Sequence, residues 1–245
     1  MDAPRMLYKY RSLTRQEDRD HTRELIVDRK LYFACVDDFN DPFDCQAYLV
    51  VRRGTPAAWK KLGFAGRVPR DVRERYMANS GPRTVRRVAR NLGIFCSTPN
   101  PLSIPMWSYY THGHTGICVG FRTTEASDSP IWDSQQVEYS DEYPAYDPLL
   151  DDGEAAGKQT KATLLRKSTA WQHESEWRAF NTDGPGVVEY GPYALAEVVL
   201  GCRIPAERRD EILGWVAECG RPVKVLQARQ HDREYRLELE VVQDA

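Results

Sequence analysis

The chain has 245 residues, 41% of them hydrophobic, and its 6 Trp, 13 Tyr and 7 Phe are enough to build a substantial core. Its 34 basic residues nearly balance its 36 acidic residues, which argues against a dedicated nucleic-acid-binding protein. No apolar run approaches the roughly 20 residues that a membrane-spanning helix requires, so we expect no membrane contact.

The N-terminal residues predict strands and one helix around a turn-rich loop. Alternating apolar and polar residues in MLYKYRSL predict a short strand. Thr14, followed by Glu17 three residues later, predicts a capping box that opens a helix running to about Arg29. Further strands are predicted at residues 31–36 and 46–51, on either side of the loop DDFNDPFDC.

Two stretches differ from their surroundings. Residues 52–93 are rich in Lys and Arg and carry two weak helical patterns, which predicts a basic helical insertion that could contact nucleic acid. The alternative for this stretch is a solvated helical face. Residues 141–157 contain two prolines and several acids, and they predict a surface loop.

The remainder of the chain predicts strands with helices placed irregularly between them. The strands are GIFCST, TGICVGF, QVEYS, ESEWRAF, ALAEVVLGCRI, VKVLQAR and YRLELEVV. A short helix or turn is predicted for PMWSYYTHG and a helix for residues 159–168, while Pro205 and Gly220 frame an amphipathic helix. This order predicts an α+β fold in a single domain of residues 1–245.

The six cysteines are widely spaced and form no CxxC motif, and several lie in apolar strands. This usage is typical of a protein whose thiols stay reduced. The N-terminus is charged and lacks an apolar signal segment. We therefore expect a cytoplasmic protein.

Glu174 and Glu176 are the candidate catalytic residues. In an extended chain, residues two apart point to the same face, which places both carboxylates together and Trp177 on the opposite face. One ionised carboxylate facing an electron-poor sugar carbon stabilises an oxocarbenium-like transition state, and its neighbour can orient a nucleophile or act as a base. The alternative is that Glu176 pairs with Arg178 or Lys167 on an exposed strand face.

The first strand offers a candidate phosphate site. Lys9 and Arg11 lie on one face of this strand and Tyr8 and Tyr10 on the other, and two cations on one face can hold a pyrophosphate. The alternative is the solvated side of an amphipathic edge strand.

The loop FNDPFDC offers a candidate pocket wall. It is either a rigid turn that Phe39 and Phe43 anchor in the core, or an ordered wall that presents a polar side chain to a ligand. The side chains that it would present are those of Asn40, Asp41 or Asp44.

The segment MWSYYTHG offers flat rings for a planar ligand. Tyr109 and Tyr110 are suited to stacking. His112 and His114 lie two residues apart, but no acid or cysteine completes a recognised metal-ligand spacing, so we expect no metal site. The chain also lacks the phosphate-binding glycine motifs GxGxxG and GxxxxGK[ST] and the nucleophile motif GxSxG.

Four segments in this order resemble a known bacterial family. They are LYKYRS, KLYFACVDDFNDPFDC, MWSYYTHGHTGICVGF and KSTAWQHESEWR. Together they resemble an uncharacterised family that is marked by the phrase FNDPFD and is met in abortive-infection and phage-defence settings. The opening strand, the central aromatic segment and the late glutamate are also similar to the ADP-ribosyltransferase-like superfamily.

The second resemblance implies a split, mixed β-sheet core, with helical insertions, that binds NAD in its cleft. It implies that Tyr109 or Tyr110 stacks on nicotinamide, that Glu176 stabilises the ribosyl cation, and that Glu174 is the first acid of an E-x-E turn. Lys9 stands where that superfamily often has His, and a lysine cannot make the same contacts. Arg11 then takes over its role, or NAD binding is altered or lost.

These features lead to one expected function and its rivals. We expect an enzyme for which NAD is the substrate and which transfers ADP-ribose or hydrolyses NAD, in defence or toxin action. The rivals are an inactive nucleotide- or nucleic-acid-binding module of the same fold, and a component that needs a partner protein. The candidate NAD-binding residues are Lys9, Tyr10, Arg11, Asn40, Tyr109 and Tyr110. The sequence does not identify the acceptor.

Overall fold

A computed structural model describes residues 4–50, 60, 69, 71, 72, 75, 86, 89–124, 127–147 and 153–244. Its helices are α1 (Gln16–Ile26), α2 (Ile104–Tyr110), α3 (Gly153–Leu164) and α4 (Ala206–Cys219). The first seven strands are β1 (Met6–Arg11), β2 (Lys30–Phe33), β3 (Tyr48–Leu49), β4 (Gly93–Ser97), β5 (Ile117–Arg122), β6 (Gln135–Gln136) and β7 (Glu138–Tyr139). The others are β8 (Ala145–Tyr146), β9 (Arg166–Lys167), β10 (Trp177–Asn181), β11 (Gly186–Glu189), β12 (Leu195–Leu200), β13 (Lys224–Gln230) and β14 (Leu237–Gln243).

The largest sheet has the strand order β1-β5-β12-β13-β14. Its neighbours are antiparallel except β12 and β13, which run parallel because α4 carries the chain back between them. The interior strand β5, second in this order, is buried on both faces, as its apolar sequence ICVGF requires. Val119, Phe121 and Val198 belong to the main apolar core, and Cys118 and Val199 belong to a second cluster on the opposite side.

A smaller antiparallel sheet has the order β4-β10-β6. Two backbone hydrogen bonds join it to the large sheet, from Tyr8 N to Thr98 O at 2.7 Å and from Thr98 N to Tyr8 O at 3.0 Å. Strand β1 therefore stands between β5 and the end of β4, where the two sheets diverge. Three further strand pairs are β2-β11, β3-β8 and β7-β9. The architecture is α+β, as the sequence predicts, and it contains several open sheets.

The amphipathic helix near the C-terminus is confirmed. It begins after Pro205 and ends at Gly220, whose φ of 62° is the left-handed conformation that glycine adopts at low cost. Ile212, Trp215 and Val216 bury its apolar face in the core. No helix in the described ranges is long and apolar enough to cross a membrane.

The predicted capping box of the first helix is wrong. Helix α1 begins at Gln16, and the backbone N–H of Arg15 donates to Asp18 Oδ2 at 3.2 Å. Thr14 instead bonds with Ser12 in the preceding turn, where its N–H donates to Ser12 Oγ at 3.1 Å. One half of a capping box, the bond from the N-cap N–H to the acid three residues later, thus forms one residue later than predicted, and the helix ends at Ile26.

Several predicted boundaries differ from the structure. The strand predicted for 46–51 is limited to β3, and the helix predicted for 159–168 is α3, which ends earlier and leads into β9. The loop predicted for 141–157 contains β8, and its last residues begin α3. The basic insertion at 52–93 lies mostly outside the described residues.

Candidate functional site

A cavity of about 480 Å³ opens where the two sheets diverge. Seven of the eight candidate site residues line it: Lys9, Tyr10, Arg11, Asn40, Tyr110, Glu174 and Glu176. The eighth, Tyr109, is absent from its lining, because this side chain is 69% exposed and its ring lies 6.1 Å from that of His173. Between the two tyrosines that the sequence offers for stacking, the structure therefore places only Tyr110 in the cavity.

One wall of the cavity is a buried network of acids and cations. Arg178 is fully buried and binds two carboxylates. Its Nε donates to Glu176 Oε1 at 2.8 Å, and its Nη1 and Nη2 donate to Asp44 at 2.9 and 2.6 Å. Such paired contacts are the geometry that a guanidinium forms best with carboxylates.

Lys167 joins the second glutamate to this network. Its Nζ donates to Glu174 Oε2 at 2.5 Å and to Glu176 Oε2 at 3.0 Å, and it lies 3.8 Å from Asp44. The hydroxyl of Tyr110 donates to Glu174 Oε1 at 2.5 Å. The described network holds three carboxylates against two cations, so its formal charge is one negative unit.

The pKa shifts in this network follow from burial and charge. Burial opposes the ionisation of Glu176, but the nearby charges of Arg178 and Lys167 outweigh it and hold the pKa of Glu176 well below its usual value. Burial also opposes the charged form of Lys167, yet Glu176, Glu174 and Asp44 raise its pKa. Burial, and then the charge of Glu174, raises the pKa of Tyr110. Glu176 is therefore ionised, and Lys167 and Tyr110 are protonated, at neutral pH.

The two glutamates meet by a different backbone path from the predicted extended strand. Glu174 ends a 3₁₀ helix at residues 169–174, Ser175 has a φ of 47°, and β10 begins only at Trp177. This left-handed residue turns the chain so that both carboxylates reach Lys167. Trp177 does pack in the core, as predicted. The alternative pairing of Glu176 with Arg178 and Lys167 also occurs, but it is buried rather than on an exposed face.

Two cations of β1 line the same cavity. Lys9 Nζ donates to the backbone carbonyl of Cys96 at 2.9 Å, and Arg11 Nε donates to Thr22 Oγ1 at 2.9 Å. Neither forms an ion pair with any residue that the structure describes. Burial lowers the pKa of Lys9, because an ammonium group loses hydration there. These side chains are partly buried, unlike the solvated edge strand considered as the alternative.

The FNDPFDC loop forms part of the cavity wall. Asn40 and Asp44 line the cavity, and Asn40 Nδ2 lies 3.4 Å from the hydroxyl of Tyr110. Asp41 is turned into the loop, where its Oδ1 accepts from the N–H of Phe43 at 2.9 Å. The predicted double aromatic anchor is wrong for Phe43, which is 66% exposed, whereas Phe39 is partly buried beside Arg178.

Three residues have a larger part in the site than the sequence indicates: Lys167, Arg178 and Asp44. From the sequence, Arg178 and Lys167 are expected only as exposed partners of Glu176. An arginine two residues after a glutamate on a strand shares its face, and that spacing was the available signal. The contribution of Asp44 depends on a contact across 134 positions, which no local pattern shows.

The histidines and cysteines form no comparable site among the described residues. No group of three or more His, Cys, Asp or Glu side chains there is arranged to hold a metal ion. His114 contacts Ser108 Oγ at 3.2 Å and Cys202 Sγ at 3.6 Å, away from the main cavity. All six cysteines are free thiols.

Comparison with known proteins gives one match. Residues 106–179 match a family described as "Protein of unknown function (DUF2971)". This range contains most of α2, all of β5 and the segment with Lys167, Glu174, Glu176 and Arg178, whereas FNDPFD lies outside it. No curated protein and no solved structure matches the chain. The match supports a relationship with an uncharacterised domain family.

Proposed function

We propose that the cavity binds NAD and that the protein transfers ADP-ribose from NAD or hydrolyses it, with the defence or toxin role that the resemblance implies. The observation that carries the proposal is the charge arrangement of the cavity. Two cations without ion-pair partners among the described residues, Lys9 and Arg11, share the cavity with a network of formal charge minus one. NAD carries a pyrophosphate that suits the cations and a ribosyl group that becomes positive in the transition state.

The proposed chemistry follows from this arrangement. The bond between ribose C1′ and the nicotinamide nitrogen breaks, nicotinamide leaves neutral, and positive charge develops on the ribosyl ring. A buried negative charge stabilises that cation strongly, because little water screens it. Arg11 provides the permanent charge for the pyrophosphate, and Lys9 adds hydrogen-bond donors. Water or an acceptor group then takes the ADP-ribose.

Tyr110 and the glutamates have distinct proposed roles. The ring of Tyr110 stacks on nicotinamide in this proposal, while its hydroxyl donates a hydrogen bond to Glu174. Glu176 is bound to both buried cations, Lys167 and Arg178, and of these cations Glu174 is bound to Lys167 alone. Following the resemblance, we assign the ribosyl contact to Glu176 and the orientation of the attacking group to Glu174.

The test is the release of nicotinamide from labelled NAD by the pure protein. We expect release by the wild type and its loss in Glu174→Gln and Glu176→Gln, with folding checked by near-UV circular dichroism. Glu189→Gln, at an exposed position of β11, is the matched control and keeps full activity. Absence of release by the wild type, or equal release by all the variants, contradicts the proposal.

A second candidate is a module that binds a nucleotide without turning it over. It is favoured by the contacts of Glu176, both of whose oxygens are already bound by Arg178, one of them also by Lys167. A carboxylate whose charge is already balanced by bound cations stabilises a ribosyl cation less than an unpaired carboxylate does. Calorimetric binding of NAD by the wild type, without nicotinamide release, supports this candidate. The nucleic-acid contact of residues 52–93 stays a prediction, tested by the salt dependence of RNA and DNA binding.

A further inference from the structure

Two lysines face the same cavity with opposite surroundings. Lys167 lies within 4.0 Å of three carboxylates, and its pKa is raised. Lys9 has one hydrogen bond, to the carbonyl oxygen of Cys96, and no ion pair within the described ranges. When the pKa values of two groups of the same type shift in opposite directions within one site, the two groups have different chemical roles.

The environment of Lys9 makes its ammonium group easier to deprotonate than that of an ordinary lysine. Its Nζ lies over the ring of buried Phe95, 5.2 Å from the ring centre. This contact favours the charged form, whereas burial opposes it. Burial is the main cause of its lowered pKa, and the positive charge of Arg11 lowers it further. The charges of Glu176 and Glu174, and that of Cys96 in its thiolate form, oppose the shift. Burial raises the pKa of the Cys96 thiol well above its usual value, and the two glutamates are already bound to Lys167. Burial and a neighbouring cation are the two features that activate lysine amines in enzymes.

We propose that Lys9 is an amine nucleophile that forms an imine with the aldehyde of a phosphorylated carbonyl compound bound in this cavity. The nitrogen lone pair attacks the carbonyl carbon, and a proton moves from nitrogen to the new alkoxide to give a carbinolamine. The hydroxyl then takes up a proton and leaves as water, the nitrogen releases its remaining proton, and the imine remains. One amine and one aldehyde give one imine and one water, so no oxidant or reductant is needed.

Arg11 determines the charge of the expected compound. It lies two residues along the same strand from Lys9, lines the same cavity, and forms no ion pair with a described residue. A phosphate bound to this guanidinium brings an aldehyde on the same molecule close to the amine. This reaction needs no NAD and does not depend on nicotinamide release, so its failure and that of the NAD proposal are observed separately.

The experiment uses pyridoxal 5′-phosphate as an aldehyde probe on the full chain, without NAD. After brief incubation at pH 7, borohydride reduces any imine, and mass spectrometry of the peptides measures labelling at each lysine. Lys30 is the internal comparison, because it lines the same cavity 3.8 Å from Glu24. We expect labelling to be faster at Lys9 than at Lys30, because the lowered pKa of Lys9 leaves a larger fraction of its amine unprotonated.

Two controls make the result specific. Lys9→Arg keeps the positive charge and removes the labelled site without changing the labelling of Lys30. 5′-Deoxypyridoxal, which lacks the phosphate and, like the phosphate ester, cannot close into a hemiacetal, labels Lys9 more slowly than the phosphate ester, and Arg11→Gln abolishes this difference. Because the site is mapped in the wild type, the test does not depend on the folding of a variant. The proposal is overturned if Lys30 reacts as fast as Lys9, or if Lys9 stays unlabelled.

Discussion

At the scale of single residues, Tyr109 and Tyr110 form a matched pair of neighbours. Tyr110 donates a 2.5 Å hydrogen bond to the buried carboxylate of Glu174, whereas Tyr109 is exposed. We expect Tyr110→Phe to lower the free energy of unfolding by about 1.5–3 kcal/mol, the usual range for a hydrogen bond to a charged group. Tyr109→Phe should change it by less than about 0.5 kcal/mol. Urea unfolding of both variants measures the difference, and equal effects would contradict the assigned contact.

The buried ion pairs predict how stability depends on pH. The pKa of Glu176 is lowered in the folded protein, so its contribution is complete above the ordinary glutamate pKa of about 4.3 and declines as pH falls below that value. Glu176→Gln leaves Arg178 buried with one fewer carboxylate, and we expect a loss of roughly 3–5 kcal/mol at pH 7.

The measurement for this prediction is urea unfolding of the wild type and Glu176→Gln at pH 7 and pH 3. The difference between the two proteins should become smaller at pH 3. Glu189→Gln, whose carboxylate is exposed, should differ little from the wild type at either pH. A difference that stays constant with pH is incompatible with an ionised, paired Glu176.

At the scale of secondary-structure elements, we expect the replacement of glycine by alanine to have opposite effects on stability at two positions. A Cβ atom at Gly116 would lie 2.1 Å from the backbone oxygen of Arg11, where β1 pairs with β5. The backbone at Gly116 and at Arg11 cannot move without disturbing the strand pairing. We therefore expect Gly116→Ala to lower the free energy of unfolding by about 1–3 kcal/mol. In α4, a Cβ at Gly214 would meet nothing within 4 Å, and Gly214→Ala should stabilise by about 0.5–1 kcal/mol. Thermal unfolding of both variants measures the two changes in stability, and changes of the same sign would contradict the prediction.

The elements most accurately predicted from sequence are those with a strong local signal. Pro205 and Gly220 bracket α4 because their backbone preferences act locally, and the apolar run of β5 indicates burial without any knowledge of its neighbours. The start of β10 could not be predicted, because Ser175 adopts a left-handed conformation that its residue type does not favour. A tertiary contact supports the backbone there, because the N–H of Glu176 donates to the hydroxyl of Tyr139 at 2.7 Å.

At the scale of the whole molecule, the candidate site combines distant parts of the chain. The sequence identifies seven residues that line the cavity, because acids, cations and aromatic rings stand out against apolar strands. It does not reveal that the acids are compensated, because the contact between Arg178 and Asp44 joins the second sheet to the FNDPFDC loop. Composition and pattern can therefore nominate the residues of a site, whereas charge balance depends on contacts that only the fold provides.

The cavity predicts that an anionic ligand stabilises the whole molecule. Because Arg11 forms no ion pair with a described residue, a pyrophosphate group that binds the folded state gains an attraction absent in the unfolded chain. At a ligand concentration of 100 times Kd the stabilisation is about 2.7 kcal/mol. For a chain of this size that corresponds to a rise in Tm of roughly 5–10 °C. Differential scanning calorimetry with ADP-ribose and with inorganic pyrophosphate tests this expectation.

The matched variants for this experiment are Arg11→Gln and Arg229→Gln. Arg229 is an exposed arginine of β13 that pairs with Glu240, so its replacement should leave the ligand-induced shift unchanged. Arg11→Gln should remove most of the shift, since a neutral amide cannot hold the pyrophosphate by charge. A shift of equal size in both variants would place the anion elsewhere on the molecule. Stabilisation by ADP-ribose but not by pyrophosphate would mean that the ribosyl and adenine groups, rather than the β1 cations, supply the binding energy.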